Sequence, residues 1–433
     1  MLVSFKVSNF LSFNKLQSFS MVPSIELEKA NHLVDIDGVK LLKLGVILGA
    51  NSSGKSNLLK AINVGKDLII GGPIDKYRNY FCKIKEANRN LETLFEFAFF
   101  INDKFYTYGF TVNLSTCKFL TEYLYLHNPF NDQEEVLFER SVINKLYINQ
   151  MKCDLAIRKK LNSYFEKYKE DSTSLLITTI NKEKELMLDD LKNVFQFFSS
   201  SINFNYTYND YKILNFDIRK EKDVILDLLK EYDTLITDIV FESIDYDLFQ
   251  SNYSNYENFL KSAIEKQLHN NYAFCIILNQ TLYYLKNEDG ILSVYKVLLK
   301  HENAELAFEF FEESDGIRRI FDLIEVLLAN KPYNVYLFDE LNRYIHPLLL
   351  IKYLQSFIEK LKGYPVQLIF TSHEVNILKE ELLRRDEVWF VERERDNSSK
   401  VYSLDIFKLT DKKILDSYLD GNFGAIPIFI EDL

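Results

Sequence analysis

The stretch "GANSSGKS", Gly49 to Ser56, carries the spacing G-x-x-x-x-G-K-[ST] of a loop that holds nucleotide phosphates. Its glycines permit a tight turn, so backbone N–H groups along Gly49, Ala50, Asn51, Ser52, Ser53 and Gly54 converge with the helix start at Ser56 and Asn57 on one anionic spot. Lys55 would reach the β- and γ-phosphates, and the Ser56 hydroxyl would hold Mg²⁺. A second stretch, "VYLFDELNRYIHP", residues 335 to 347, runs four apolar or aromatic residues straight into Asp339-Glu340. A buried strand ending this way would deliver Asp339 to a Mg²⁺ shell, and Glu340 would accept a proton from an attacking water as general base. The same two acids would also suit the start of the helix expected in "PLLLIKYLQSFIEKL", where the dipole favours negative charge. In "VQLIFTSHEVNIL" another apolar strand ends in Thr371-Ser372-His373; taken alone, a histidine there is a packed or capping residue. Finally, "EESDGIRRIFDLIEVLLANKP" places Ser314 as the cap of a helix with apolar residues at helical spacing. Ser314, Gly316 and that helix N-terminus could form a phosphate-binding surface facing a second subunit's nucleotide.

These residues need strands and helices to position them. The strand "LKLGVIL" leads into the phosphate loop and the helix "SNLLKAI" leaves it. Residues 1–150 otherwise show short alternating runs such as "LVSFKV", "LFEFAFF" and "KFYTYGFTV", expected as antiparallel strands, with Asn102-Asp103 at a hairpin turn. Residues 151–280 change to helical spacing rich in Lys and Glu ("LAIRKKLNSYFEKYKED", "MLDDLKNVFQFFSS", "VILDLLKEYDTLITD") and are expected to form a helical insertion. Over 281–433 a strand pair, "TLYYLKNEDGILSVYKVLL", is expected to return the chain to the sheet before strands and helices alternate. The fold class expected is α/β: a mixed sheet flanked by helices, with N-terminal antiparallel strands.

At 433 residues and 47% hydrophobic content the chain can bury one large core or two to three smaller ones. A net charge of −11 argues against non-specific coating of nucleic acid. The start "MLVSFKVSNFLSF" lacks the apolar core of a signal peptide, and no apolar run approaches the roughly 20 residues of a membrane span. Four separated cysteines show no zinc-binding spacing. The expectation is a cytoplasmic protein with reduced thiols and no membrane partner.

Taken in order, phosphate loop, Ser-x-Gly helix, Asp-Glu strand and histidine strand resemble the ABC-type P-loop ATPase heads, and more closely the AAA-domain ATPases of the OLD and abortive-infection type. The resemblance covers about 1–125 and 285–433. It implies that "VSNFLSF" packs near the adenine, that "ESDGIRR" is a shortened signature, and that His373 contacts the γ-phosphate and the attacking water. It further implies ATP and Mg²⁺ as cofactors and a head-to-head dimer or higher homo-oligomer. In that dimer Lys55, Ser56, Asp339, Glu340 and His373 would come from one subunit, Ser314 and Gly316 from the other. The residues after Glu374 are too few for the Toprim nuclease domain of OLD nucleases, which points to a separate effector, a nuclease or toxin, controlled by an ATP-driven switch in anti-phage defence, with 151–280 as the sensor or partner region. A DNA-clamping ATPase of the SMC and recombination-repair kind is the alternative, and a stand-alone ATP-dependent nuclease a third.

Overall fold

The computed structural model describes residues 1–433 except 25–28, 129–132, 169, 183–187, 206–210, 257–259, 262–263, 265–272, 289–290, 329–330, 380–381, 408–413 and 427–433. The chain divides into two compact units: Met1–Asn205 with Pro332–Leu341 and Leu361–Leu433, and Tyr206–Lys331 with Asn342–Lys360.

The first unit holds a six-stranded mixed sheet in the order Ile202–Asn205, Val335–Phe338, Gln367–Thr371, Leu44–Leu48, Val388–Arg393, Ser399–Ser403. The first five run parallel and the last pairs antiparallel. Leu44–Leu48, Val335–Phe338 and Gln367–Thr371 are buried at every position, which is why they read as unbroken apolar runs rather than alternating ones. A seven-stranded antiparallel sheet stands beside it, ordered Leu146–Asn149, Gln133–Ser141, Lys118–Asn128, Lys104–Asn113, Thr93–Ile101, Leu2–Ser8, Gln17–Ser20. Asn102 and Asp103 take left-handed φ of 49° and 60° in its hairpin.

The helix Lys55–Ile69 shares one core with both sheets: Leu58, Leu59, Ile62 and Leu68 cluster with Phe5, Phe95 and Phe97 and with Ile47, Leu337 and Ile369. At Gly65 it comes so close to the antiparallel sheet that a Cβ would sit 2.7 Å from the Phe97 ring. Sheet, helix and sheet therefore fix the loop preceding Lys55 from both sides.

The second unit is built on its own antiparallel sheet, ordered Tyr211–Leu214, Phe274–Leu278, Thr281–Glu288, Ile291–His301, Ile236–Ile244. It carries the helices Lys222–Glu231, Tyr246–Asn252, Asp315–Leu327 and Pro347–Lys360. Tyr353 in the last donates to the Leu323 carbonyl of the one before it, at 3.2 Å.

Two expectations change here. Residues 151–280 do contain helices, Leu155–Tyr168, Leu176–Ile180, Asp189–Gln196 and the two named above, but also strands. Ile202–Asn205 completes the parallel sheet, and Tyr211–Leu214, Ile236–Ile244 and Phe274–Leu278 build the second one. The run "VILDLLKEYDTLITD" has helical spacing throughout, yet its helix stops at Glu231 and a strand starts at Ile236. Asp233 and Leu235 turn the chain between them with φ of 58° and 55°, without a glycine to signal it. The strand pair Thr281–Glu288 and Ile291–His301 joins this second sheet rather than the loop-bearing one. Among the described residues no helix is long and apolar enough to cross a membrane, and all four cysteines are free.

Candidate functional site

Three neighbouring parallel strands, Val335–Phe338, Gln367–Thr371 and Leu44–Leu48, end on one edge of the sheet. Ligands of open α/β sheets bind outside such carboxyl ends. After Leu48 the chain turns through Gly49, Ser52 and Gly54 with φ of 149°, 61° and 109° into the helix at Lys55. Both glycines are also sterically required: a Cβ on Gly49 would lie 2.2 Å from the Val391 carbonyl oxygen, and one on Gly54 2.4 Å from Ser399 Oγ and 2.7 Å from Ser12 Oγ. Asn57 donates to Ser12 Oγ at 2.8 Å, which ties the first helical turn to the segment following the opening strand. Asn51 and Ser52 are exposed at the loop tip.

Lys55 is only 5% exposed and lies along the loop, its Nζ donating to the carbonyls of Gly49 at 2.7 Å and Ala50 at 2.9 Å. Burial lowers its pKa to about 8, against the opposing pull of Asp339 and Glu340. Ser56 Oγ donates to Asp339 Oδ1 at 2.9 Å, joining the loop to the end of the next strand but one. Glu340 has a left-handed φ of 51°, costly for a residue with a side chain. Its carboxylate stands 3.9 Å from His373 Nε2, with the two side chains 40% and 38% exposed. Burial and the nearby Lys55 push the His373 pKa below its usual value, against the two carboxylates. A pKa below 6.5 leaves the imidazole mostly neutral at pH 7.

The helix start suggested as an alternative home for Asp339 and Glu340 lies further on, at Pro347. Ser314 and Gly316 belong to the second unit. There Ser314 Oγ accepts from the Ile317 N–H at 3.2 Å as the cap of Asp315–Leu327, and a Cβ on Gly316 would meet the Tyr344 carbonyl oxygen at 2.9 Å. Three residues without a sequence-assigned role join the site: Thr371, whose hydroxyl donates to Asp339 Oδ1 at 2.7 Å, and Ser12 and Ser399, which brace the glycine loop. For Thr371 the signal is a polar residue closing the apolar run "LIF".

The site has capacity for a phosphate and a hard cation. The Ser53 hydroxyl is buried and unpaired inside the loop, a polar atom with a bond to spare. Ser56 and Asp339 offer hydroxyl and carboxylate oxygens of the kind Mg²⁺ takes together with phosphate oxygens. Among the described residues no group of three or more His, Cys, Asp or Glu is placed to hold a metal ion.

A glycine loop between a buried parallel strand and a helix, with an acid from the next strand but one bonded to Ser56, defines a P-loop ATPase domain of the α/β class. The chain belongs to the family described as "AAA domain, putative AbiEii toxin, Type IV TA system", whose model matches residues 44–379. No curated protein matches it. Among solved structures, "SMC head domain from Thermotoga maritima" aligns with 94% of this chain and 99% of its own at 13% identity and a TM-score of 0.39. "Crystal structure of the SmcHead bound to the C-winged helix domain of ScpA" aligns with 93% and 97% at 14% identity and a TM-score of 0.38. Likeness at that level carries no weight for function.

Proposed function

We propose that this protein binds ATP with Mg²⁺ at the Gly49–Asn57 loop and hydrolyses it to ADP and phosphate. The observation that carries the proposal is the bond from Ser56 Oγ to Asp339 Oδ1, which preassembles loop and acid. On binding, loop N–H groups and the helix start take the phosphates, and Lys55 exchanges its two carbonyl partners for phosphate oxygens. Ser56 and Asp339 would hold Mg²⁺, which would neutralise phosphate charge as it develops. Glu340 takes the proton of the water that attacks the γ-phosphorus, the bond to the β-phosphate oxygen breaks, and ADP leaves. His373, neutral beside Glu340, would help orient that water.

Two copies would close around ATP, each completing the other's site with Ser314 and Gly316, and hydrolysis would open them. We read this cycle as a switch on a separate effector, a nuclease or toxin, in anti-phage defence; the toxin–antitoxin wording of the matching family supports that direction.

The test is turnover and nucleotide binding by the purified chain, with Lys55→Ala and Glu340→Gln. Lys55→Ala should lose nucleotide binding; Glu340→Gln should bind ATP while turnover falls about 100-fold or more. Undiminished turnover in Glu340→Gln would remove it as the base. Glu340→Gln then serves as bait in the native host: a stoichiometric nuclease or toxin supports the switch. Turnover that rises with double-stranded DNA and falls steeply with salt would instead favour a DNA clamp.

A further inference from the structure

Thr371 closes the strand Gln367–Thr371 and is wholly buried. Its hydroxyl has two partners on the neighbouring strand end: it accepts from the Glu340 N–H at 2.7 Å and donates to Asp339 Oδ1 at 2.7 Å. Its carbonyl accepts from the Leu341 N–H at 3.0 Å. One residue thus grips three consecutive positions, the acid side chain at 339 and the backbone at 340 and 341. The hydroxyl has a single proton, and accepting from Glu340 directs that proton to Asp339, so the two bonds fix each other's direction. The middle position is Glu340, whose left-handed backbone needs such external restraint to persist.

We propose that Thr371 is a positioning residue for ATP hydrolysis: its hydroxyl sets the orientation of Asp339 toward the cation and holds Glu340 in the backbone conformation that aims its carboxylate at the water. This inference rests on the ATPase reading above. It differs from ordinary strand pairing because the bonds come from a side chain, so they can be removed while the carbonyl bond to Leu341 stays. Ser372, also buried, accepts from the Glu374 N–H at 2.9 Å.

The experiment compares the wild-type chain with T371V, which keeps the shape and removes the hydroxyl, and T371S, which keeps the hydroxyl and removes the methyl. Three quantities are read: steady-state ATP turnover, the Mg²⁺ concentration that half-saturates binding of a fluorescent non-hydrolysable ATP analogue, and the thermal midpoint. T371V is expected to lower kcat about 10- to 100-fold, as loss of a ligand's supporting bond commonly does, with KM little changed at saturating Mg²⁺. Its Mg²⁺ requirement should rise several-fold, and T371S should restore both. A packing role alone would lower the thermal midpoint in both variants without splitting kcat from KM. If T371V does not fold, T371C carries the same comparison with a weakly bonding thiol of similar size. Wild-type turnover with T371V unchanged in kcat and Mg²⁺ requirement would overturn the grip alone, as would a T371S as impaired as T371V. A wild-type chain that neither bound the analogue nor turned over ATP would overturn the ATPase reading, and the grip with it.

Discussion

Glu122 and Arg140 meet at 3.0 Å inside the first unit with side chains 0% and 1% exposed, whereas Glu340 and His373 of the same unit stand 3.9 Å apart and are 40% and 38% exposed. The buried carboxylate is filled with donors: Tyr108 Oη at 2.8 Å, the N–H groups of Leu176 and Ile177 at 2.6 and 3.0 Å, and the Arg140 guanidinium. Arg140 in turn donates to the carbonyls of Asp171 and Ser174. The cluster pins the 171–177 segment to the antiparallel sheet and leaves the carboxylate no room for a ligand. At the loop the pattern is the reverse: a cation lies on its own loop's carbonyls, a hydroxyl has no partner, and an acid sits on strained backbone. A buried carboxylate filled with donors is structural, whereas the loop keeps a buried hydroxyl without a partner beside an exposed acid.

Breaking the saturated cluster should cost the most. Glu122→Ala leaves a buried guanidinium without its counter-charge and two N–H groups without acceptors, an expected loss of about 3–5 kcal/mol. A urea titration would read it as a lower midpoint, while turnover per folded molecule stays near wild type. Replacing both partners, Glu122→Leu with Arg140→Met, should recover only the part due to the buried uncompensated charge, because the Leu176 and Ile177 N–H groups still lack their acceptor. A Glu122→Ala chain of normal stability but lowered turnover would dissolve the distinction between the two clusters.

The open cluster should respond to pH instead. The Lys55 pKa, lowered to about 8, makes the ammonium the main form at pH 7 and the neutral amine the main form at pH 9. Phosphate binds the charged form, so affinity should drop as pH rises through 8, by about tenfold between pH 7 and 9. Lys55→Arg, charged throughout, should flatten that profile even where it binds more weakly. The stability effect has the same origin. The folded pKa lies below the ordinary Lys value, so the burial cost of the ammonium is present in full below pH 8 and is relieved between about pH 8 and 10.5.

The contrast between the clusters also explains what could be read from the chain. Gly49 to Ser56 is contiguous, and its glycines are demanded by local turns, so the loop is visible in eight letters. Asp339 and His373 show because each follows a run buried on both faces, which has no polar alternation to hide them. Thr371 was legible only as a strand end, because its partners lie 31 and 32 residues earlier, across a strand pairing that no local pattern encodes. The same limit applies to Glu122, an acid inside the strand Lys118–Asn128 that looks like a solvent-facing residue until Arg140, on the adjacent strand, is placed opposite it. The second unit was misread for another reason: Asp233 and Leu235 turn the chain without glycine or proline, so helical spacing ran on into a strand.

The smallest effect gives the sharpest separation of the two kinds of site. Ser53 Oγ is buried without a partner, so the free protein carries the penalty of an unsatisfied hydroxyl. Ser53→Ala removes that penalty and should leave the thermal midpoint unchanged or slightly raised. On the proposed ATP binding, the same change would take away a donor for a phosphate oxygen, and nucleotide affinity should weaken by about three- to tenfold, the net value of one hydrogen bond. Stability and binding then move in opposite directions, which Glu122 cannot do, because its carboxylate is already filled by four donors that serve the fold. Ser52→Ala, at the exposed tip of the same loop, is the control for the loss of a hydroxyl as such. Calorimetric binding with a parallel melting curve measures both quantities. A lower midpoint in Ser53→Ala with unchanged affinity would place that hydroxyl among the structural bonds.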